Sequence, residues 1–204
     1  MFSRANLVCG AIAVLLASFP MLGRSQDRPT GLIRKEYDAR QLLADSADAD
    51  RLVDLIRSVV HPEEWDNVEG AGAIAAEKNH LDVWQTPAVH AEVARLLDAL
   101  TKMPGVKQNE SPAKKEIGKT IVVTKGEVPP EALTVIVYDV TDLVRTGHDY
   151  DKLVSTILHI EETTWQDVGS PGVCEVYPAA KALVIVQTAA VHRQVGDWLR
   201  RQRQ

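Results

Sequence analysis

An internal duplication constrains the fold of this chain more than any other feature of its sequence. The pair Tyr37-Asp38 recurs as Tyr138-Asp139, and Trp65 recurs as Trp165. The segment 85–90, QTPAVH, recurs at 187–192 as QTAAVH. The offsets are 101, 100 and 102 residues, so the two copies keep register apart from two small changes in length. One module of about 65 residues is therefore encoded twice.

The amino terminus has the pattern of an export signal. Arg4 is followed by an apolar run over 7–22 and then by small residues at 23–25, which predicts a signal peptide over 1–25 with cleavage after Ser25. An uncleaved membrane anchor is the alternative, but the run is shorter than the roughly 20 apolar residues that span a bilayer. We therefore expect an exported protein in the periplasm or associated with the cell envelope, without a stable membrane span after processing.

The charge of the processed chain argues against nucleic acid as a partner. Removal of Arg4 and Arg24 with the signal leaves 21 basic and 28 acidic residues, a net charge of −7. Cys9 is removed as well, so Cys174 is the single remaining cysteine and an internal disulfide is excluded. Cys174 stands in an alternating strand pattern, which favours a small buried residue over a nucleophile.

Each copy predicts the order strand, helix, strand, strand, helix. Strand segments are expected at 32–37, 73–76 and 81–85 in the first copy, and at 133–138, 173–177 and 183–187 in the second. Acidic turns at 48–50 and 149–151 precede apolar positions at helical spacing, which in the second copy run to Ile160. Thr86 and Thr188 are good N-caps for the closing helices, and Pro87 suits the first helical position.

These patterns predict an α+β fold with two tandem βαββα modules, in each of which both helices pack on one face of a small sheet. The first module covers 26–103 and the second 133–204. Residues 104–132 are rich in Pro, Gly and charge and have linker composition. Within this linker, Ile121-Val122-Val123 is equally compatible with a short strand added to the second sheet and with irregular structure.

Motifs for nucleotide or nucleic-acid binding are incomplete. Gly118-Lys119-Thr120 is similar to the end of a phosphate-binding loop, but Ala113 stands where that loop needs glycine and a strand pattern follows. The segment 169–172, GSPG, matches a Gly-x-x-Gly loop, yet it lies before a strand and has no flanking basic cluster. We therefore predict no cofactor-binding residues and no cofactor.

Candidate catalytic and metal-binding residues are equally sparse. The six histidines lack the spacing of a zinc site: His61, His80, His90, His148, His159 and His192. His90 and His192 are the recurrent pair, and their place beside core valines favours a packing or hydrogen-bonding role over a ligand or base. No nucleophile elbow is present. We predict no catalytic residues, no metal ligands and no enzymatic activity.

Two further features have alternative interpretations. Trp65 and Trp165 precede Gly-rich turns and could anchor the turn on the core or contact a partner; we favour the anchor. The arginine cluster at the carboxyl end suits a helix C-terminus better than a binding site for acidic lipid or a partner. Its members are Arg193, Arg200, Arg201 and Arg203.

The βαββα order and the closing phrase at 183–192, LVIVQTAAVH, resemble the KH-like periplasmic N-domains of secretins. The resemblance covers 32–103 and 133–204. It implies a free-standing pair of ring-building modules without the secretin β-channel domain. The implied role of this pair is binding or assembly, with itself or with an envelope protein of a secretion or pilus-type complex. It implies no catalytic residues. The alternative is a small periplasmic hydrolase or ligand-binding protein with a polar pocket in the cleft between the modules, near His90, His192 or Asp167. A third hypothesis is peptide capture by addition of a strand at an exposed sheet edge.

Overall fold

The computed structural model describes residues 31–43, 46–106, 118–124 and 129–204. The predicted signal peptide lies outside the described residues. In the described part, no helix is both long and apolar enough to cross a membrane.

Both halves have the predicted order of elements. The first half contains β1 (Ile33–Asp38), α1 (Ser46–Val59), β2 (Ala73–Glu77), β3 (His80–Gln85) and α2 (Pro87–Thr101). Next come β4 (Thr120–Val122), β5 (Thr134–Asp139), α3 (Gly147–Leu158), β6 (Val173–Tyr177), β7 (Ala182–Gln187) and α4 (Ala189–Gln202). The sheets are antiparallel, with the orders β1-β3-β2 and β4-β5-β7-β6. The α+β class is thereby confirmed.

The helix boundaries differ from the sequence pattern at the first helix of each half. The acidic residues lie inside the first turns of α1 and α3 instead of before them. In α3, Asp149 accepts hydrogen bonds from the backbone N–H groups of Arg145 and Thr146, each at 2.7 Å, and so satisfies amides that the helix itself leaves unpaired. Ile160 lies beyond the end of α3.

The two halves stack in alternating layers of sheet and helix. α1 contacts its own strand β2 on one side and β6 and β7 of the second sheet on the other. One continuous apolar core joins α1, α2 and the first sheet to one face of the second sheet. A separate core joins the opposite face of the second sheet to α3 and α4. The second sheet is therefore buried on both faces.

Strand alternation produces these two faces. Every second side chain along β5, β6 and β7 faces the first half: Val135, Val137, Val173, Tyr177, Ala182, Val184 and Val186. The side chains between them face α3 and α4: Ile136, Tyr138, Cys174, Val176, Leu183 and Ile185. A run of consecutive apolar residues, as at 182–186 in β7, is the pattern expected of a strand covered on both sides.

Parts of the predicted linker belong to this folded body. Val106 is buried, and a side chain at Gly105 would overlap the backbone of Ala180 in the second half. β4 pairs with β5, so the alternative left open at 121–123 is resolved in favour of a strand, which begins one residue earlier. The Tyr177 hydroxyl donates a 2.5 Å hydrogen bond to the Leu42 carbonyl, which ties the two halves together within the buried core.

Candidate interaction surface

The recurrent tyrosine and histidine join the first strand of each half to its last helix. His90 Nε2 lies 2.9 Å from the Ile33 carbonyl oxygen, and Nδ1 lies 2.8 Å from the Tyr37 hydroxyl. Because a carbonyl oxygen can only accept, Nε2 carries the proton and Nδ1 accepts from tyrosine. Tyr138 and His192 repeat this arrangement, with the Thr134 carbonyl as acceptor.

Both histidines are therefore hydrogen bonded within the fold, which is the role that the sequence favours. They are buried, with 2% and 6% of His90 and His192 exposed. Burial lowers the pKa of His192 and raises the pKa of Tyr138, since the low-dielectric interior disfavours both charged forms. Both ring nitrogens of each imidazole thus contact groups of the same half, and neither nitrogen is free to bind a metal ion as the structure stands.

The recurrent tryptophans anchor their loops on the core. Trp65 is 0% exposed and donates from Nε1 to the Val60 carbonyl at 2.7 Å. Trp165 donates to the Ile160 carbonyl at 2.8 Å. Burial of a large ring with its single donor satisfied is the arrangement of an anchor.

The recurrent glutamines and glycines form a third repeated contact. Gln187 Nε2 donates to the Thr164 carbonyl at 2.8 Å, and its Oε1 accepts from the Thr188 N–H at 3.0 Å. A side chain at Gly172 would overlap Gln187 Nε2 and the Thr164 carbonyl. Gln85 and Gly72 repeat the contact in the first half. The side chains that identify the duplication are thus occupied in holding the module together.

The outer face of the first sheet is where the two halves differ most. Arg34 forms a bidentate pair with Asp82, at 3.1 and 2.6 Å, and its guanidinium lies 5.0 Å from the ring centroid of Trp84. The corresponding residues of the second half are Val135, Val184 and Val186, which pack against α1 and α2. Asp82 is only 3% exposed, and Arg34 lowers the pKa of this carboxyl group. The outer face of the first sheet is therefore polar where the matching face of the second sheet is apolar and packs against helices.

The structure brings together two groups of metal-binding residue types that the sequence spacing does not reveal. Glu77, His80 and Asp82 meet on the outer face of the first sheet, and His61, Glu63 and Glu64 meet before the Trp65 loop. Register across strands places the first group side by side, since Glu77 is opposite His80. Both Asp82 oxygens are already bound by Arg34, so this group is an ion-pair network as it stands.

Two equivalent grooves lie between the first helix of each half and the outer strand of its hairpin. The groove of the first half has a volume of about 920 Å³ and is bounded by α1 and β2. Its counterpart between α3 and β6 measures about 520 Å³. Both β2 and β6 are edge strands, and the backbone groups along a free edge form a template for another strand.

A third groove, of about 470 Å³, lies against α4 and the second sheet. His192, Arg193 and Arg200 contribute to its lining, and Arg200 pairs with Asp197. Arg203 is used elsewhere, because it binds the Asp142 carboxylate and the Asp139 carbonyl. The carboxyl-terminal arginines therefore do not form one patch.

Cys174 is a partly buried residue on the face of the second sheet that packs against α3 and α4. Burial, with smaller contributions from Glu175 and Asp167, raises the pKa of its thiol to about 12. A thiol with this pKa carries almost no thiolate at neutral pH and is a poor nucleophile.

Asp167 lines a small groove beside Trp165 and Val168, away from both buried histidines. The space between the two halves is filled by core side chains, so His90, His192 and Asp167 do not converge there. Comparison of the chain with family models, with curated proteins and with solved structures finds no match.

Proposed function

We propose that this protein is an exported, non-enzymatic interaction module made of two KH-like units similar to secretin N-domains. Its role is to bind or assemble with a protein of the cell envelope, in a secretion or pilus-type complex. The observation that carries this proposal is the structural use of the recurrent Tyr, Trp, Gln and His side chains, each of which is hydrogen bonded within its own half. What both halves offer outward is a groove beside a free strand edge.

The polar ends of the stack bear on how such a module assembles. α4 carries Arg193, Gln194 and Asp197 on its exposed side, and the first sheet ends in the Arg34–Asp82 pair. Repetition of the internal helix-on-sheet contact between chains would remove the exposed side chains of Arg34, Arg193 and Asp197 from water, and desolvation costs roughly several kcal/mol per ion even where the ion is paired. Contacts along strand edges avoid this cost, so we place assembly at the edges and not at the ends.

The test combines processing, oligomeric state and partners. The full chain is expressed in a bacterium with its native amino terminus, and mass spectrometry of the envelope fraction is expected to find a mature chain that begins at Gln26. Cross-linking in intact cells should give a reproducible oligomer or one stoichiometric partner. A strict monomer without specific cross-links, or a protein retained in the cytoplasm, would contradict the proposal.

Ligand binding is a second candidate because of the arginines in the groove beside His192. This groove would suit a small acidic molecule, since Arg193 and Arg200 both line it. Thermal-shift measurements with carboxylates and phosphates would detect such a ligand. Stabilisation that is lost in Arg193→Gln and kept in Arg145→Gln, an exposed arginine elsewhere, would favour this candidate over the interaction module.

A further inference from the structure

We propose that the groove between α1 and β2 binds an extended, basic peptide segment, which adds to the first sheet as a strand beside β2. This inference rests on the proposed interaction role and names the site and the chemistry of the partner. Three features of the groove support it: the direction of the backbone groups in β2, the small side chains of that strand and the exposed carboxylates of α1.

The hydrogen-bonding pattern shows which groups of β2 face the groove. The Ala39 N–H donates to the Asn79 carbonyl, so the odd-numbered residues of β3 bond toward β1 and the even-numbered residues toward β2. Asp82 is opposite Ala75, which makes Ala75 a bonded partner within the sheet. The N–H and C=O groups of Ile74 and Ala76 therefore point away from β3 to the free edge.

One contact of Arg57 is consistent with this assignment. Its guanidinium reaches the Ile74 carbonyl at 3.4 Å, which requires that this oxygen point outward. The same guanidinium pairs with Asp66 at 3.1 Å. A 3.4 Å contact is a weak hydrogen bond that an incoming backbone amide could replace.

The side chains of β2 leave its backbone accessible. Ala73, Ala75 and Ala76 carry only methyl groups, and Leu43, Val53 and Ile74 form an apolar wall of the groove. Edge strands that must avoid pairing usually carry charged residues or proline, and β2 has a single charge, Glu77, at its end. The opposite edge of the sheet, at β1, is different, because it carries the charged residues Arg34, Lys35 and Glu36.

Charge selects a basic partner. Asp50 and Asp54 lie one turn apart on α1 and are exposed along the groove. Arg57 and Lys78 also line the groove, but Arg57 pairs with Asp66, and no ion pair joins Asp50 or Asp54 to a described residue. Glu175 from β6 adds negative charge nearby, and its pKa is raised by burial and by Asp54. A lysine or arginine in an added strand can lay its aliphatic stem on the apolar wall and place its charge at these carboxylates.

The second half provides an internal comparison. Its groove is smaller, Ser155 replaces Asp54, and Leu158 replaces Arg57. In the strand, Cys174 replaces Ile74, and Val176 replaces Ala76 with a larger side chain. The first half thus has both the more accessible strand edge and a pair of exposed carboxylates, and we assign the peptide site to it.

The experiment uses the processed full chain and a synthetic fluorescent peptide of alternating valine and lysine. Fluorescence anisotropy is expected to give a salt-sensitive, micromolar dissociation constant. Ala76→Pro removes the outward N–H of β2 without breaking the ladder, because proline is tolerated at an edge position whose N–H faces away from the sheet. It should weaken binding about tenfold, and Asp50→Asn with Asp54→Asn should do the same and remove the salt dependence.

Two controls separate the site from general effects. Glu36→Pro places proline at the outward position of the β1 edge, and we expect unchanged binding. A peptide with glutamate in place of lysine should bind at least tenfold more weakly. No binding at about 1 mM, or equal affinity for wild type and Ala76→Pro, would overturn the groove assignment. If specific cross-links in cells persist in that case, the interaction role stands and only this site is wrong.

Discussion

At the scale of single residues, the recurrent side chains stabilise the module by satisfying one another. Gly172 illustrates the tightness of these contacts, because Gln187 and the Thr164 carbonyl occupy the space that a side chain would need. A recurrent glycine in a turn is easily attributed to backbone freedom. Here close approach of a buried amide side chain is the reason for it.

Gly172→Ala should destabilise the protein by about 1–3 kcal/mol, because the new methyl group overlaps Gln187 and the Thr164 backbone and must displace them. Urea unfolding provides the measurement. The control is Gly196→Ala within α4, where nothing lies within 4 Å of an added Cβ, and alanine should stabilise the helix by about 0.5–1 kcal/mol. Equal effects of the two substitutions would argue against the Gln187 contact.

The buried histidine makes stability depend on pH. Burial lowers the pKa of His192 in the folded state below the value of about 6.5 in the unfolded chain. Between these two values the unfolded state binds more protons, so stability is full above pH 6.5 and falls as the pH decreases toward the folded pKa. We expect His192→Gln to reduce this acid-side loss in urea unfolding at a series of pH values.

His159→Gln is the matched control, since this exposed side chain bonds only to the Ser155 carbonyl of its own helix. It should retain the pH dependence of the wild type between pH 7 and 5. A wild-type stability that is flat over this range would contradict the role assigned to the Tyr138–His192 pair.

At the scale of secondary-structure elements, local signals located the helices and strands well. Thr86 and Thr188 accept from the backbone N–H groups of Val89 and Val191, as expected of N-caps before a proline or alanine. The alternating pattern identified the hairpin strands to within a residue or so. Short-range rules suffice for these elements, because caps and side-chain alternation depend on neighbours in sequence.

Thr188→Ala should cost about 1 kcal/mol, because it removes the acceptor for a free amide at the start of α4. Thr156→Ala is the control, since this exposed threonine bonds back to the Lys152 carbonyl within α3 and caps no helix. We expect it to change stability by less than about 0.5 kcal/mol. Chemical denaturation of both variants separates loss of the cap from loss of a threonine in general.

The sequence predicted the first residues of α1 and α3 less accurately. The acidic residues suggested turns before the helices, whereas Asp149 lies within the first turn of α3 and binds amides that precede it. An acidic residue favours the end of a helix with the positive dipole over several positions. The sequence therefore locates the region of a helix start more reliably than its first residue.

At the scale of the whole molecule, the two halves share a core and should unfold together. Val184 lies on the face of β7 that packs against the first half, whereas α3 and α4 cover the opposite face. Its replacement by aspartate would bury an unpaired charge at the junction of the halves and leave the second core unaltered in composition.

Calorimetry of the wild type should show one transition. Val184→Asp should lower the midpoint markedly or split the transition into two, because the coupling between the halves depends on that interface. Val168→Asp is the control, since 62% of Val168 is exposed and its replacement should leave the single transition in place. Two independent transitions in the wild type would show that the halves fold separately.

Some features of the candidate site could be predicted from local sequence, and others depend on the tertiary structure. Sequence reasoning assigned structural roles to Trp65, Trp165 and the two recurrent histidines, because a repeated apolar context indicates packing. It did not anticipate the groove at β2, since the groove depends on strand order and on which backbone groups face outward. It also missed the cluster of Glu77, His80 and Asp82, whose members meet through cross-strand register.

The sequence by itself determined the duplication, the order of elements in each half and the structural role of the repeated side chains, because periodicity, capping and internal repetition are properties of the chain alone. Tertiary structure decided that the halves stack helix on sheet, that the second sheet is covered on both faces and that β2 remains open. Those outcomes depend on contacts between residues about 100 positions apart. The face of the second sheet opposite α3 and α4 is apolar, whereas the corresponding face of the first sheet is polar. This difference selects a single order of stacking, because only the apolar face is stabilised by burial.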